Sequence, residues 1–252
     1  MTATGGPRAR YREQTRGEIK EIALRQLAEG GIPAIALTRI AKELELSGPA
    51  LYRYFANRDD LLGSLIGDAY QDLASAIGEA AEASAKYTPR HRLLSLAGAF
   101  RAWAVQQPHR YLLIAGTPLP GYSAPPETLL QARAALGPFL PLFVSAQPSP
   151  AVLPVVEQMV TWARQDPAVA TWTAQFSDTQ FSDTQPSDTQ PSDTPDSPDH
   201  TGRAVAGAVM AWTRLHGVVS LEVEGLYNGM GHQPQTLLEV EMNTLADTFG
   251  LN

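Results

Sequence analysis

Four helices are predicted to start between residues 10 and 62, and this crowding constrains the fold more than any other feature. Apolar residues recur at helical spacing over residues 11–29, and two adjacent glycines at 30–31 end that helix. Thr38, Ser47 and Asn57 then each precede a short apolar pattern, where a hydroxyl or amide side chain caps a helix N-terminus. Short helices this close together must pack against one another, so residues 10–62 are predicted to form a compact helical head.

The rest of the chain continues the helical pattern. Longer helices are predicted over residues 61–85, 89–107, 127–145, 150–173, 204–227 and 234–249, with a short apolar turn at 111–114 and a Pro- and Gly-rich loop at 117–126. We expect Pro138, Pro141 and Pro154 to interrupt two of these helices. No stretch shows the period-two alternation of a β-strand. The predicted fold class is therefore all-α, with a flexible arm at residues 1–9, a three-helix head at 10–62 and a helical bundle at 63–252.

A five-residue repeat, FSDTQ-FSDTQ-PSDTQ-PSDTP, occupies residues 176–195. Its polar and acidic composition buries too little apolar surface to offset the conformational entropy lost on ordering. We therefore predict a disordered loop at about 174–201, between two helices. A phosphorylated or partner-binding segment is the functional alternative.

The charge is unevenly distributed along the chain. The net charge is −7, but residues 1–62 carry ten Lys and Arg against eight Asp and Glu, and residues 63–252 carry nine against eighteen. A DNA-reading head on an acidic body has this distribution, and so does an ordinary protein with an uneven surface. There is no cysteine, which excludes disulfides and thiolate metal sites. Without a long apolar run or a signal-peptide pattern, we expect a cytoplasmic protein that does not associate with membranes.

Residues 37–62 read LTRIAKELELSGPALYRYFANRDDLL and have the spacing of a helix-turn-helix. In that motif a first short helix crosses the DNA backbone and a second enters the major groove. Hydroxyl groups and free backbone N–H groups at helix N-termini, here at Thr38 and Ser47, suit contact with phosphates. The partner that this pattern predicts is a double-stranded DNA operator.

The same residues resemble the tetracycline-repressor family of bacterial regulators. The family pattern runs from a threonine through Ile-Ala and a Leu-Tyr-x-Tyr-Phe ending to a basic residue before two acidic residues and Leu, as at Thr38, 40–41, 51–55 and 58–61. The resemblance implies a repressor that a small-molecule effector releases from its operator, with Ile40, Ala41, Leu51 and Phe55 in the core. The residues that it places against DNA are Thr38, Arg39, Ser47, Gly48, Pro49, Ala50, Tyr52, Arg53, Tyr54 and Arg58.

Two positions depart from the family pattern. Glu45 stands where the family usually has a turn glycine, so a non-glycine residue is expected at positive φ, at a cost of around 1 kcal/mol. Gly48-Pro49-Ala50 replaces the polar start of the reading helix and leaves few side chains to read bases. Arg53 is placed to reach a guanine and Tyr52 a thymine methyl. The basic residues of the segment 8–16 either add a phosphate or minor-groove contact or belong to a solvated tail.

Trp212 and the following Leu215-His216-Gly217 resemble a C-terminal domain named after its Trp-His-Gly residues. The resemblance implies a homodimer in which the last two helices pair with those of a second subunit as a four-helix bundle. Small residues for close approach would be Gly207, Ala208, Ala211, Gly217 and Ser220, and apolar area would come from Val218, Val219, Leu221 and Leu226. Two heads would then meet successive major grooves, roughly 34 Å apart.

Aromatic side chains in the body predict either an apolar pocket or an ordinary core. The residues predicted to line a pocket for a small apolar effector are Phe100, Trp103, Tyr111, Phe143, Trp162, Trp212 and His216.

We expect no enzymatic activity, no cofactor and no metal site. The five histidines have no metal-binding spacing, and the chain has neither a glycine-rich phosphate loop nor a nucleophile elbow. The alternative function is that of a helical ligand-binding or scaffold protein whose head does not bind DNA.

Overall fold

A computed structural model describes residues 6–116, 126–177 and 198–252, and within these ranges the regular structure is helical, as predicted. In chain order the α-helices are α1 (Pro7–Gly30), α2 (Leu37–Glu43), α3 (Gly48–Leu51), α4 (Arg58–Ala83), α5 (Pro89–Gln106), α6 (Pro108–Ala115), α7 (Pro126–Leu136), α8 (Leu140–Phe143), α9 (Leu153–Gln165), α10 (Pro167–Ser177), α11 (Pro198–Val223) and α12 (Pro234–Thr248). Short 3₁₀ helices lie at Ile32–Ala34, Gly137–Phe139 and Pro150–Val152.

The chain divides into two compact units. The first comprises Met1–Ala69 and Gln107–Thr128, and the second comprises Tyr70–Gln106 and Leu129–Asn252. Residue 62, the end of the predicted head, lies inside the continuous helix α4, and the first unit also takes in α6.

The first unit is built around one buried face of α1. Ile19, Ile22 and Leu27 on this face are buried. They belong to the same unit as the four expected core residues of the helix-turn-helix, which are also all buried: Ile40, Ala41, Leu51 and Phe55. Full burial of an aliphatic or aromatic side chain stabilises a fold by roughly 1.5–3 kcal/mol. This apolar centre holds the short helices α2 and α3, which are too short to be stable alone.

Two of the three predicted helix caps are confirmed. The Ser47 hydroxyl accepts a hydrogen bond from the Ala50 N–H at 3.3 Å, and the Asn57 side chain accepts one from the Asp60 N–H at 2.8 Å. The prediction that Thr38 caps α2 is wrong. Ala36 occupies the N-cap position, because its carbonyl already accepts the first helical bonds from Arg39 and Ile40.

Prolines account for most differences in helix boundaries. The predicted arm at residues 1–9 is helical from Pro7 onward, and residues 1–5 lie outside the described ranges. The expected interruptions at Pro138, Pro141 and Pro154 are confirmed, and each proline lies in the first turn of a new helical segment. A proline in the first turn costs no hydrogen bond, because its missing N–H would have had no helical partner.

Both ends of the segment that was predicted as a disordered loop, at about 174–201, are helical. Residues 174–177 belong to α10 and residues 198–201 belong to α11. The rest of the loop, residues 178–197, lies outside the described ranges, as do most of the loop predicted at 117–126 and Tyr122 within it.

The second unit is built around α11, which contacts α5, α8, α9 and α12. The close approach of α11 to α8 and α9 depends on two glycines of α11. A Cβ atom at Gly207 would lie 2.2 Å from the Phe143 ring, and one at Gly202 would lie 2.1 Å from Val160. Among the described residues, the segment His200–Val223 is also long and apolar enough to cross a membrane, but half of its apolar window is buried in the unit. Its contacts are those of a core helix.

Candidate nucleic-acid interface and effector site

A tight turn joins α2 to α3. The Leu46 N–H donates to the Ala41 carbonyl at 2.9 Å and the Glu45 N–H donates to the Lys42 carbonyl at 3.3 Å, which is the hydrogen-bond pattern of a Schellman motif. This motif needs a left-handed residue, and Glu45 has φ +54°, the one positive φ of a non-glycine residue among those that the structure describes. The expected positive φ at Glu45 is therefore confirmed.

Seven of the ten residues predicted to contact DNA have exposed side chains or backbone. They are Thr38 and Arg39 at the start of α2, Ser47, Gly48 and Pro49 at the start of α3, and Tyr52 and Arg53 after it. Tyr52 is 53 % exposed although it is a large aromatic residue. The exposed start of α3 offers only a hydroxyl, a glycine and a proline ring, so its chemistry is as bare as the sequence indicates.

The other three predicted contacts, Ala50, Tyr54 and Arg58, are half-buried. The Arg58 guanidinium is directed inward: Nε donates to the Ile35 carbonyl at 3.1 Å, and Nη2 donates to the Ile32 carbonyl. Arg58 therefore joins the start of α4 to the connection between α1 and α2. This contact is different from the backbone phosphate contact that the sequence predicts for Arg58.

Two arginines of α1 donate hydrogen bonds to backbone carbonyls just after α3. Arg16 Nη1 donates to the Tyr54 carbonyl at 2.5 Å, and the Arg16 guanidinium carbon lies 4.3 Å from the centre of the Phe55 ring. Arg12 Nη2 donates to the Arg53 carbonyl at 3.3 Å. These bonds supply partners for carbonyls at the end of α3 and its following turn, which has no C-terminal glycine. The i, i+4 spacing of Arg12 and Arg16 places them on one face of α1 but does not by itself indicate their partners, so sequence reasoning missed this role.

Three of the residues predicted to line an effector pocket pack against one another. Phe100, Trp212 and His216 form a cluster of edge-to-face rings, with centroids 5.4 Å apart for Phe100 and Trp212, 5.2 Å for Phe100 and His216 and 4.7 Å for Trp212 and His216. Burial lowers the pKa of His216 from 6.5 to about 4, so its ring is neutral at pH 7. The Trp-His-Gly resemblance therefore marks a packed cluster between α5 and α11.

The remaining four predicted pocket residues do not join that cluster. Phe143 is buried against Phe249 and beneath Gly207. Trp103 is nearly buried, with its indole N–H 3.3 Å from the Asp72 carboxylate. Trp162 is 37 % exposed on α9, and Tyr111 is buried in the first unit, whereas the other six belong to the second. The effector pocket that the aromatic residues suggested therefore stays a prediction.

Part of the small-residue surface predicted for dimer contact is also used inside the subunit. Gly207, Ala208, Ala211, Val218 and Val219 are buried by other helices of the same chain. Gly217, Leu221 and Leu226 are exposed. These exposed residues and the half-buried Ser220 remain accessible to a second subunit.

Within residues 6–116, 126–177 and 198–252, no three His, Asp or Glu side chains are grouped so that they could hold a metal ion. Glu222, which lies in the same helix as His216, accepts two hydrogen bonds from Arg101, at 2.8 and 2.6 Å.

Two regions of the chain match the sequence profiles of known families. Residues 19–65 match "Bacterial regulatory proteins, tetR family", and residues 93–245 match "Tetracyclin repressor-like, C-terminal domain". The first of these regions contains the helix-turn-helix, and the second covers more than half of the chain.

Curated relatives and solved structures agree with the profiles. The chain is 39 % identical over 127 residues to proteins named HTH-type transcriptional regulators from Mycobacterium bovis and Mycobacterium tuberculosis, and this match spans 50 % of the chain and about half, 54 %, of those relatives. A crystal structure of a protein named "putative regulatory protein SCO4313" is 36 % identical, with a TM-score of 0.67, over 96 % of this chain and 100 % of that one.

A protein of unknown function from Rhodococcus sp. RHA1 shares the fold at 19 % identity, with a TM-score of 0.59 over 94 % of each chain. From its helix-turn-helix and these matches, the chain belongs to the tetR family of bacterial regulatory proteins.

Proposed function

We propose that this protein is a DNA-binding transcription regulator that represses its target genes until a small-molecule effector releases it from a double-stranded operator. The observation that carries the proposal is the exposed surface formed by the N-termini of α2 and α3 together with Tyr52 and Arg53. Helix N-termini offer free N–H groups to phosphates, and an exposed arginine next to them is able to reach a base edge.

The proposed contacts divide into two kinds. Thr38, Arg39 and Ser47 suit phosphates, because they place hydroxyl and guanidinium groups at exposed helix starts. Gly48 and Pro49 permit close approach of the α3 backbone, and Tyr52 and Arg53 supply the side chains that read bases. Ala50 and Tyr54 complete the same short segment, while Arg58 supports the head from inside.

We extend the proposal to a cytoplasmic homodimer formed through α11 and α12. Each helix has an exposed stripe at helical spacing: Thr213, Gly217 and Leu221 on α11, and Thr236, Val240 and Thr244 on α12. Leu221 is 38 % exposed and Val240 is 55 % exposed, so apolar area is available for pairing. A two-fold dimer would present two heads to two half-sites.

Selection of bound fragments from the source genome tests the DNA-binding function. We expect a specific fragment whose affinity falls steeply with rising salt, because phosphate contacts release counterions. Arg53→Gln should weaken this binding by roughly 1–3 kcal/mol if Arg53 reads a base. Lys86→Gln, which changes an exposed cation in the second unit, is the matched control.

A protein that binds no genomic fragment at low salt would contradict the proposal and favour the helical ligand-binding or scaffold alternative. Absence of DNA binding would then explain why the start of α3 has few side chains able to read bases.

A further inference from the structure

The second unit has an open groove between α5 and α12, with a volume of about 310 Å³. Its base is apolar and buried: Ala97 of α5 and Leu238 and Met242 of α12 are at most 3 % exposed. Its rim is formed by residues of both helices, including Gly98 and Arg101 of α5 and Glu239 of α12. A groove of this volume suits a small molecule, because ligand pockets commonly measure about 300–1,000 Å³.

The charges at the rim favour one class of ligand. Arg101 is already neutralised, because its Nε and Nη2 bind both oxygens of Glu222, and both side chains are largely buried. Glu239 is different: its carboxylate accepts a hydrogen bond from the Gln235 amide at 2.9 Å and has no cationic partner among the described residues. The groove therefore combines an apolar base with one uncompensated negative charge.

We infer that the groove between α5 and α12 binds a small amphipathic organic cation, whose apolar part lies on Ala97, Leu238 and Met242 and whose positively charged group lies near Glu239. This ligand class deepens the proposed function, because such a molecule would be the effector. The site differs from the aromatic cluster that the sequence suggested, in which the rings fill the space themselves.

Gly98 provides a variant that fills the groove without disturbing the fold. A Cβ atom at Gly98 would meet nothing within 4 Å, so a larger side chain there enters open space. Replacing an interior helix glycine also raises helix propensity. Gly78 in α4 has equally open surroundings and lies outside the groove, which makes it the matched control.

The probe is thioflavin T, a compact apolar cation that becomes fluorescent when its rings are immobilised, and the contrasting probe is 8-anilinonaphthalene-1-sulfonate, an anion of similar size. We expect saturable binding of thioflavin T to the full chain. Gly98→Phe should weaken it at least tenfold, Glu239→Gln about fivefold, and Gly78→Phe not at all. Binding of the anionic probe should be weaker and should not fall in Glu239→Gln.

Three results would overturn the inference: no saturable binding of thioflavin T, equal binding by the native chain and Gly98→Phe, or tighter binding of the anion than of the cation. A fourth overturning result would come from sedimentation. If the native chain is a dimer and Gly98→Phe is a monomer, the groove is a contact between two copies of the chain. The assay contains no DNA, so its outcome is independent of whether the head binds an operator. DNA release by the same cation, measured separately, tests the effector role.

Discussion

Glu45 holds a left-handed backbone at the turn between α2 and α3, with φ +54° and both Schellman hydrogen bonds formed. Glycine adopts this conformation without the clash that a Cβ atom causes. We expect Glu45→Gly to raise the free energy of unfolding by about 1 kcal/mol, measured by urea denaturation. A destabilised variant would show that the Glu45 side chain contributes more than its backbone strain costs.

The role of Arg16 follows from its contacts in the folded protein and not from the sequence pattern. Arg16→Gln removes a charge-assisted bond to the Tyr54 carbonyl and the contact with the Phe55 ring, so we expect a loss of about 2 kcal/mol in stability of the head. Specific DNA affinity should fall while the salt dependence of binding stays constant, because no phosphate contact is lost. If the number of counterions released on binding instead fell by about one, Arg16 would be a phosphate ligand. Lys86→Gln, which changes an exposed cation outside the first unit, is the control for both measurements.

His216 carries the clearest pH dependence. Its pKa is lowered to about 4 by burial, whereas an unfolded chain binds the proton near pH 6.5. The contribution of His216 to the free energy of unfolding is therefore constant above about pH 6.5. The free energy of unfolding falls as the pH drops from there toward 4. Between pH 7 and 5 we expect a loss of about 2 kcal/mol that His216→Phe, which keeps a ring in the cluster, does not show. Equal losses in both proteins would refute this assignment.

At the scale of helices, the sequence predicts the type of structure better than its boundaries. Ser47 and Asn57 cap helices as predicted because their side chains bond to N–H groups three residues ahead, a purely local interaction. Thr38 does not cap α2, because Ala36, two residues earlier, already accepts the first helical hydrogen bonds. Pro138, Pro141 and Pro154 each lie at the start of a new segment. The exposed surface of the helix-turn-helix follows from local pattern, whereas Arg12, Arg16 and Arg58 bind carbonyls far away in sequence.

Helix α11 depends on close packing at Gly207. Gly207→Ala would place a methyl group 2.2 Å from the Phe143 ring, so we expect a loss of about 1–3 kcal/mol or more as the ring is displaced. Gly78→Ala meets no neighbour and should stabilise α4 by up to about 1 kcal/mol. Similar effects of the two substitutions on thermal unfolding would argue against close packing at Gly207.

For the whole molecule, the proposed dimer makes DNA binding depend on residues outside the head. Leu221→Glu combined with Val240→Glu places charge on both exposed stripes, and we expect a monomer with weakened affinity for a two-fold operator. Leu153→Glu changes another exposed apolar residue, on α9, and should leave the dimer intact. Sedimentation and DNA titration measure the two effects, and an unchanged dimer would move the subunit contact elsewhere.

The two units also limit how such a regulator can be recombined. The first unit is discontinuous in sequence: α6 contacts α1, and Tyr111 of α6 is fully buried there. A chimera that joins residues 1–69 to another regulator's body would leave behind the helix that completes this core. The first unit therefore cannot be moved as one continuous segment. To transfer the operator preference of this protein, the exposed residues of α2 and α3 would be grafted onto a recipient regulator that keeps its own complete first unit.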